Sequence, residues 1–254
     1  MEAIDERKRL LARYEETILR RDRAQKEAEN YYIAYISVFG DLITETFRMK
    51  IECIRKKKMI AYCQQQANRG QSVNEQALEE YLAREMQEYE EELATLIENV
   101  QTAKSGTPVS TRARKEIKEI YYRLAKLIHP DLHPELAEDE TIQEAWRRIV
   151  LAYRHNDAEA LAEEEQLVLA HLELLGIGES EISIENLEER IRRLDAEIAE
   201  IHATDPYQYR FLLDDREAVK EKKKELREEY QVYEEYAAEL DRVLSGFQRE
   251  RVYS

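Results

Sequence analysis

Apolar positions from the start of the chain recur on alternating steps of three and four: Leu11, Tyr14, Ile18, then Ala28, Tyr31, Tyr35, Val38, Leu42 and Met49. That spacing is the seam of a coiled coil and predicts one long helix over residues 4–68, which would extend ~100 Å. Arg7, Arg21 and Gln25 interrupt the seam. Between Tyr31 and Cys63 a second stripe, Ile33, Ile36, Ile43, Phe47, Ile51 and Ile54, widens the apolar face, so this section is expected to meet more than one helix. Gly70 supplies a stop, and Ser72-x-x-Glu75 reads as a capping box opening a second helix with Leu78, Leu82, Met86, Tyr89, Leu93, Leu96 and Val100 on its stripe.

The stretch TAKSGTPVSTR marks a change of domain near residue 105, and LLGIGES marks another break. After it, Ile184, Leu187, Ile191, Leu194, Ile198 and Ile201 repeat at three and four, the turn ATDPYQY follows, and Val219, Leu226, Tyr230, Tyr233, Ala237, Leu240, Leu244 and Phe247 form a further seam. Two seams joined by a short turn predict an antiparallel helical hairpin. Three domains follow: a long helical hairpin over 1–104, a small module over 105–176, and a C-terminal hairpin over 177–254. The C-terminal hairpin is the intrachain candidate to cover the wide face from Tyr31 to Cys63, and a second copy of the chain, in a homodimer, would serve equally well.

Composition agrees with an all-α, elongated protein. Charged residues make up 37% of the 254, with only six Gly and four Pro to turn the chain. The net charge of −16 opposes binding to nucleic acid. No signal-peptide core opens the sequence, and its most apolar run, YYIAYISVFGDLITETF, is broken by Asp41 and Glu45, so no membrane span and a cytoplasmic location are expected. Cys53 and Cys63 lie ~15 Å apart on one helix, beyond disulfide reach, and read as reduced thiols. The basic runs Arg55 to Lys58 and Lys220 to Glu225 read as solvated helix faces.

The central module places Ile117, Tyr121, Leu124 and Ile128 on one face of a helix that Pro130 ends, because proline disfavours helical geometry at the residue before it. The loop HPDLHPELAEDE leads to a second helix with Ile142, Trp146, Ile149 and Tyr153 on one face. The two helices can bury these residues against each other in an antiparallel pair.

On these residues the module resembles the J-domain of DnaJ-like cochaperones. Glu116, Ile117, Lys118, Tyr121, Leu124 and Ala125 match the family's second helix without a gap, Trp146, Ile149, Ala152 and Tyr153 match its third, and His129, Pro130 and Asp131 reproduce its tripeptide. The match covers residues 108 to 165. The resemblance implies that the tripeptide contacts a DnaK-type chaperone ATPase and accelerates its ATP hydrolysis. It departs from the family at the opening Tyr-x-x-Leu-Gly segment, so the first helix of the module is either missing or supplied by Tyr89 to Val100. Tyr122 stands where a basic residue is common, and no Gly/Phe-rich linker or zinc-binding cysteine repeat is present.

The partner-binding candidates are therefore His129, Pro130, Asp131, Lys118, Tyr121, Arg123 and Lys126. Asp131 offers an acceptor-only carboxylate to a partner's arginine. Between residues 112 and 126 six basic residues oppose Glu116 and Glu119, a face suited to steering toward an acidic protein surface. The expected protein is a non-enzymatic cochaperone without cofactors, its coiled-coil arms holding a client or scaffold protein, with the tripeptide displayed on an exposed loop. The other reading is a structural coiled-coil adaptor with a J-like fold that does not stimulate hydrolysis. An ordinary helix-stopping loop is the plain alternative for His129 and Asp131. A metal site at His129 and His133 is disfavoured, because Pro130 and Pro134 break the helical spacing and no cysteine cluster is near. His155, His171 and His202 read as polar-face residues, and no phosphate loop, nucleophile elbow or paired-carboxylate motif is present.

Overall fold

A computed structural model describes residues 2–105, 111–136, 138–175 and 186–252. Residues 176–180 of the break expected at LLGIGES, the Ile184 position of the third seam and residues 106–110 of the TAKSGTPVSTR linker lie outside the described residues. The described chain is all-α: α1 (Glu2–Asn68), α2 (Glu75–Ser105), α3 (Thr111–Ile128), α4 (Glu140–His155), α5 (Ala158–Leu174), α6 (Leu187–Ala203), α7 (Tyr209–Asp214) and α8 (Arg216–Val252), with one 3-10 turn at Pro134–Leu136. The continuous 67-residue α1 follows the long seam. Gly70, with φ of 66°, adopts the left-handed geometry that ends it. The next helix starts two residues later than the Ser72 box predicts, because Asn74 is the cap: its Oδ1 accepts from Ala77 N at 3.0 Å.

The chain divides into two compact units, and α1 contributes to both. One comprises Met1–Tyr32 and Thr107–Gln208, the other Ile33–Gly106 and Tyr209–Ser254. These bounds differ from the three segments read from the sequence, 1–104, 105–176 and 177–254. In the second unit α2 folds back along α1, with Tyr62 against Tyr81 at 5.3 Å, Lys58 Nζ on Glu85 at 2.9 Å and Ser37 Oγ donating to Ala103 O at 3.1 Å. Gly40 permits the close approach, since a Cβ there would stand 2.6 Å from Val100 Cγ2. α8 packs on the second half of α1: Cys53, Ala237 and Leu240 are buried together with Met49, Ile60 and Tyr233 around them. Thr46 donates to Leu226 O and Cys53 to Tyr233 O, two bonds seven residues apart on each helix, so α8 runs parallel to this section of α1.

The predicted C-terminal hairpin does not form as one domain. α6 belongs to the first unit, where Leu187, Ile191 and Leu194 pack on Tyr14, Ile18 and Leu132, while α8 belongs to the second. Periodicity defines an apolar stripe but not its partner, and each helix buries its stripe against α1.

In the first unit α3, α4 and α5 enclose the largest core cluster, including Ile117, Tyr121, Leu124, Ile128, Ile142, Ile149, Tyr153, Leu161, Val168 and Leu172, with Leu19 of α1 added. His129 meets Trp146 at 4.7 Å beside the loop and Tyr121 stacks on Tyr153 at 3.8 Å further along, so α3 and α4 run antiparallel. The sequence reading missed α5. Its buried Leu161, Val168 and Leu172 share the helix with exposed Leu167, Leu169 and Leu174, which blurs the apolar face that periodicity depends on. Asp157 caps α5 through Ala160 N at 3.0 Å, and the buried Glu164 carboxylate accepts from Arg148 of α4.

Candidate functional site: the His-Pro-Asp loop

Pro130 ends α3, and the chain then caps itself. Leu132 N and His133 N both donate to His129 O, at 2.9 and 2.8 Å, while His133 Nε2 takes Lys126 O at 2.7 Å, satisfying a carbonyl of the last helical turn. His133 Nδ1 meets Glu135 Oε1 at 3.0 Å. At the far end of the loop Asp139 caps α4 through Ile142 N at 3.0 Å, and its second oxygen meets His171 Nε2 of α5 at 3.0 Å. The hydrogen bond to His171 holds the Asp139 carboxyl below the ordinary carboxylate range.

The same self-capping orients His129. Asp131 N–H donates to His129 Nδ1 at 3.0 Å, so the neutral ring carries its proton on Nε2. That nitrogen faces α1, with Asp22 Oδ2 at 3.5 Å and Arg21 Nη2 at 3.3 Å. The Tyr121 hydroxyl donates to the same Asp22 Oδ2 at 2.8 Å. Arg21 binds Asp22 Oδ1 and reaches Asp131 Oδ2 at 3.3 Å, and the Tyr14 hydroxyl donates to Asp131 O at 3.3 Å. Burial pushes the Asp22 carboxyl up, but the hydrogen bond from His129, the Arg21 guanidinium and the Tyr121 hydroxyl outweigh it and hold the group below its ordinary value. Asp22 is thus an ionised carboxylate inside the unit, with a charge partner and two neutral donors.

The tripeptide is not displayed as expected. His129 is 4% exposed, held under α1 and Trp146, and Asp131 is half-buried; Pro130 alone is exposed. The reason is α1. Its Tyr14, Ile18 and Leu19 are buried against the loop, α6 and the three-helix core, and this carries Arg21 and Asp22 onto the tripeptide. The helix packed beside the loop is the start of α1, while Tyr89 to Val100 belongs to the other unit.

The remaining sequence candidates are scattered by this packing. Tyr121 is a 2% exposed core residue whose hydroxyl is spent on Asp22, and burial followed by the Asp22 charge raises its pKa far above the ordinary value. Arg123 is held by both oxygens of Glu165 in α5, at 2.7 and 2.9 Å, and Lys126 lies 3.6 Å from Glu15 of α1. Lys118 rests on the Tyr122 ring, 5.1 Å from its centroid. The exposed pairs among these are worth ~0–1 kcal/mol each, little enough for an external carboxylate to exchange with. No group of His, Cys, Asp and Glu suited to a metal ion occurs among the described residues, and the ring nitrogens of His129 and His133 face different partners.

Arg21, Asp22 and Lys26 were missed as site residues. The signal was present, since Arg21 is one of three polar residues that interrupt the seam, and a charge placed where a seam is buried needs a buried partner. Together with Tyr153, Trp146 and Arg154 these residues line a cleft of about 320 Å³ beside the loop. Lys26 Nζ sits 3.7 Å above the Tyr153 ring, and burial, aided by Arg114, lowers its amine to about 8. None of the described helices is long and apolar enough to cross a membrane. Comparisons with protein-family models, with curated proteins and with solved structures found no match for this chain.

Proposed function

We propose that the chain is a non-enzymatic cochaperone whose J-like module, α3 to α5 with the His-Pro-Asp loop, recruits a DnaK-type chaperone in the cytoplasm and stimulates its ATPase, while the long helices bind a client or scaffold protein. The observation that carries this reading is the intact His129-Pro130-Asp131 at the junction of two antiparallel helices. Its backbone is fixed by local caps, its proline is exposed and its Asp131 carboxylate is 40% exposed. A rigid loop presenting an acceptor-only carboxylate suits a partner's arginine, because little ordering remains to be done on binding.

The test is steady-state ATP hydrolysis by the DnaK-type chaperone of the same cell, with and without this protein. Stimulation is expected, and Asp131→Asn should abolish it while leaving the helices intact; His129→Gln should do the same through the loss of a loop contact. Full stimulation by both variants refutes the mechanism. The second reading, an adaptor whose tripeptide is structural, is favoured by the burial of His129 against Asp22, and absence of stimulation by the folded wild-type chain selects it.

A further inference from the structure

Asp131 is the group that the proposed function offers to a partner's arginine, yet one of its oxygens already faces an arginine of the same chain. Two consecutive residues of α1 hold the tripeptide: Arg21 donates to Asp131 Oδ2 at 3.3 Å, and Asp22 Oδ2 lies 3.5 Å from the protonated Nε2 of His129. Resting on the cochaperone reading, we propose that the Arg21–Asp22 step of α1 is an internal occupant of the His-Pro-Asp loop, with Arg21 holding the Asp131 carboxylate where a partner's arginine would bind.

The geometry separates the two residues' roles. Asp22 is 8% exposed and bound by Tyr121, so it stays in place as a positioning residue for the His129 ring. Arg21 has other acceptors to fall back on: Asp22 Oδ1 is 2.9 Å from Nη2, and Glu197 Oε2 of α6 is 3.8 Å from Nη1. It can therefore release Asp131 without leaving its guanidinium uncompensated. Displacing α1 itself would strip Tyr14, Ile18 and Leu19 from the core, a far larger loss than one half-exposed ion pair. Release is thus a side-chain exchange. With Arg21 in place Asp131 has one oxygen to offer, and with Arg21 withdrawn it can accept a fork of two bonds.

The test compares full-length wild type, Arg21→Ala, Arg21→Gln, Asp131→Asn and the Arg21→Ala/Asp131→Asn double variant. Far-UV circular dichroism and Trp146 fluorescence establish that each chain is folded. The readout is the concentration giving half-maximal stimulation of the DnaK-type ATPase. Both Arg21 variants are expected to lower it roughly fivefold, the equivalent of removing a competing pair worth about 1 kcal/mol, and adding Arg21→Ala to Asp131→Asn should restore no stimulation. Unchanged or weaker action of the Arg21 variants, with stimulation still lost in Asp131→Asn, overturns the occupancy and leaves the cochaperone reading standing. No stimulation by any chain removes that reading and the occupancy with it.

Discussion

Replacing Tyr121 with Phe removes a single oxygen from the centre of the first unit and leaves the ring stacked on Tyr153 at 3.8 Å. The change isolates one interaction, the 2.8 Å bond to Asp22 Oδ2. A hydrogen bond to a charged group contributes roughly 1.5–3 kcal/mol, against about 0.5–1.5 for a neutral pair. The variant should therefore lose about 2 kcal/mol at pH 7, on the order of 5–8 °C in Tm for a unit of this size. The chain's one tryptophan, Trp146, lies 5.7 Å from the Tyr121 ring and 4.7 Å from His129, so its fluorescence during urea unfolding reports on this core. The folded-state Asp22 carboxyl titrates below its unfolded value of about 4. Its contribution is fully present above that value and is lost as pH falls through the lower folded one. The gap between wild type and variant should accordingly narrow as Asp22 becomes protonated in acid. A loss under about 0.5 kcal/mol at pH 7, or a gap that stays constant through acid titration, refutes an ionised Asp22 bonded by Tyr121.

In the second unit, Gly40→Ala should destabilise by about 1–2 kcal/mol despite a helix-propensity gain of about 1, because its Cβ would stand 2.6 Å from Val100 Cγ2. Adding Val100→Ala should recover part of the loss in thermal melts followed by circular dichroism, and a stabilised Gly40→Ala chain would contradict the close packing. Lys26, lowered to about 8 by its burial over Tyr153, should show a dimethylamine NMR titration midpoint well below that of the exposed lysines after reductive methylation. Because its folded value lies below the unfolded one, it adds stability as pH rises from about 8 toward 10; a midpoint near 10 would remove the buried setting.

Ile117, Leu124, Ile128, Ile142 and Ile149 are buried as their spacing indicates, since each helix has one face apolar enough to read without knowing its partner. The loop between those helices was equally legible, because Pro130 stops a helix by local sterics. The orientation of the His129 ring was not, since it depends on Asp22, 107 positions away in sequence, and the partner of the Tyr121 hydroxyl is that same distant carboxylate.

By itself the sequence determined that the chain is helical, where its longest helix runs and where the His-Pro-Asp loop falls, because these follow from periodicity, glycine, proline and caps acting within a few residues. Only the tertiary structure decided which stripes meet: α6 and α8 each lie on α1 instead of forming one C-terminal hairpin, and α5 closes the core despite its diffuse apolar pattern. An apolar stripe has nearly the same affinity for any complementary stripe, so its partner is chosen by shape and by the polar groups that must be satisfied together. At the tripeptide those groups are Arg21, a charge that interrupts the coiled-coil seam, and its neighbour Asp22, both satisfied against the loop they hold.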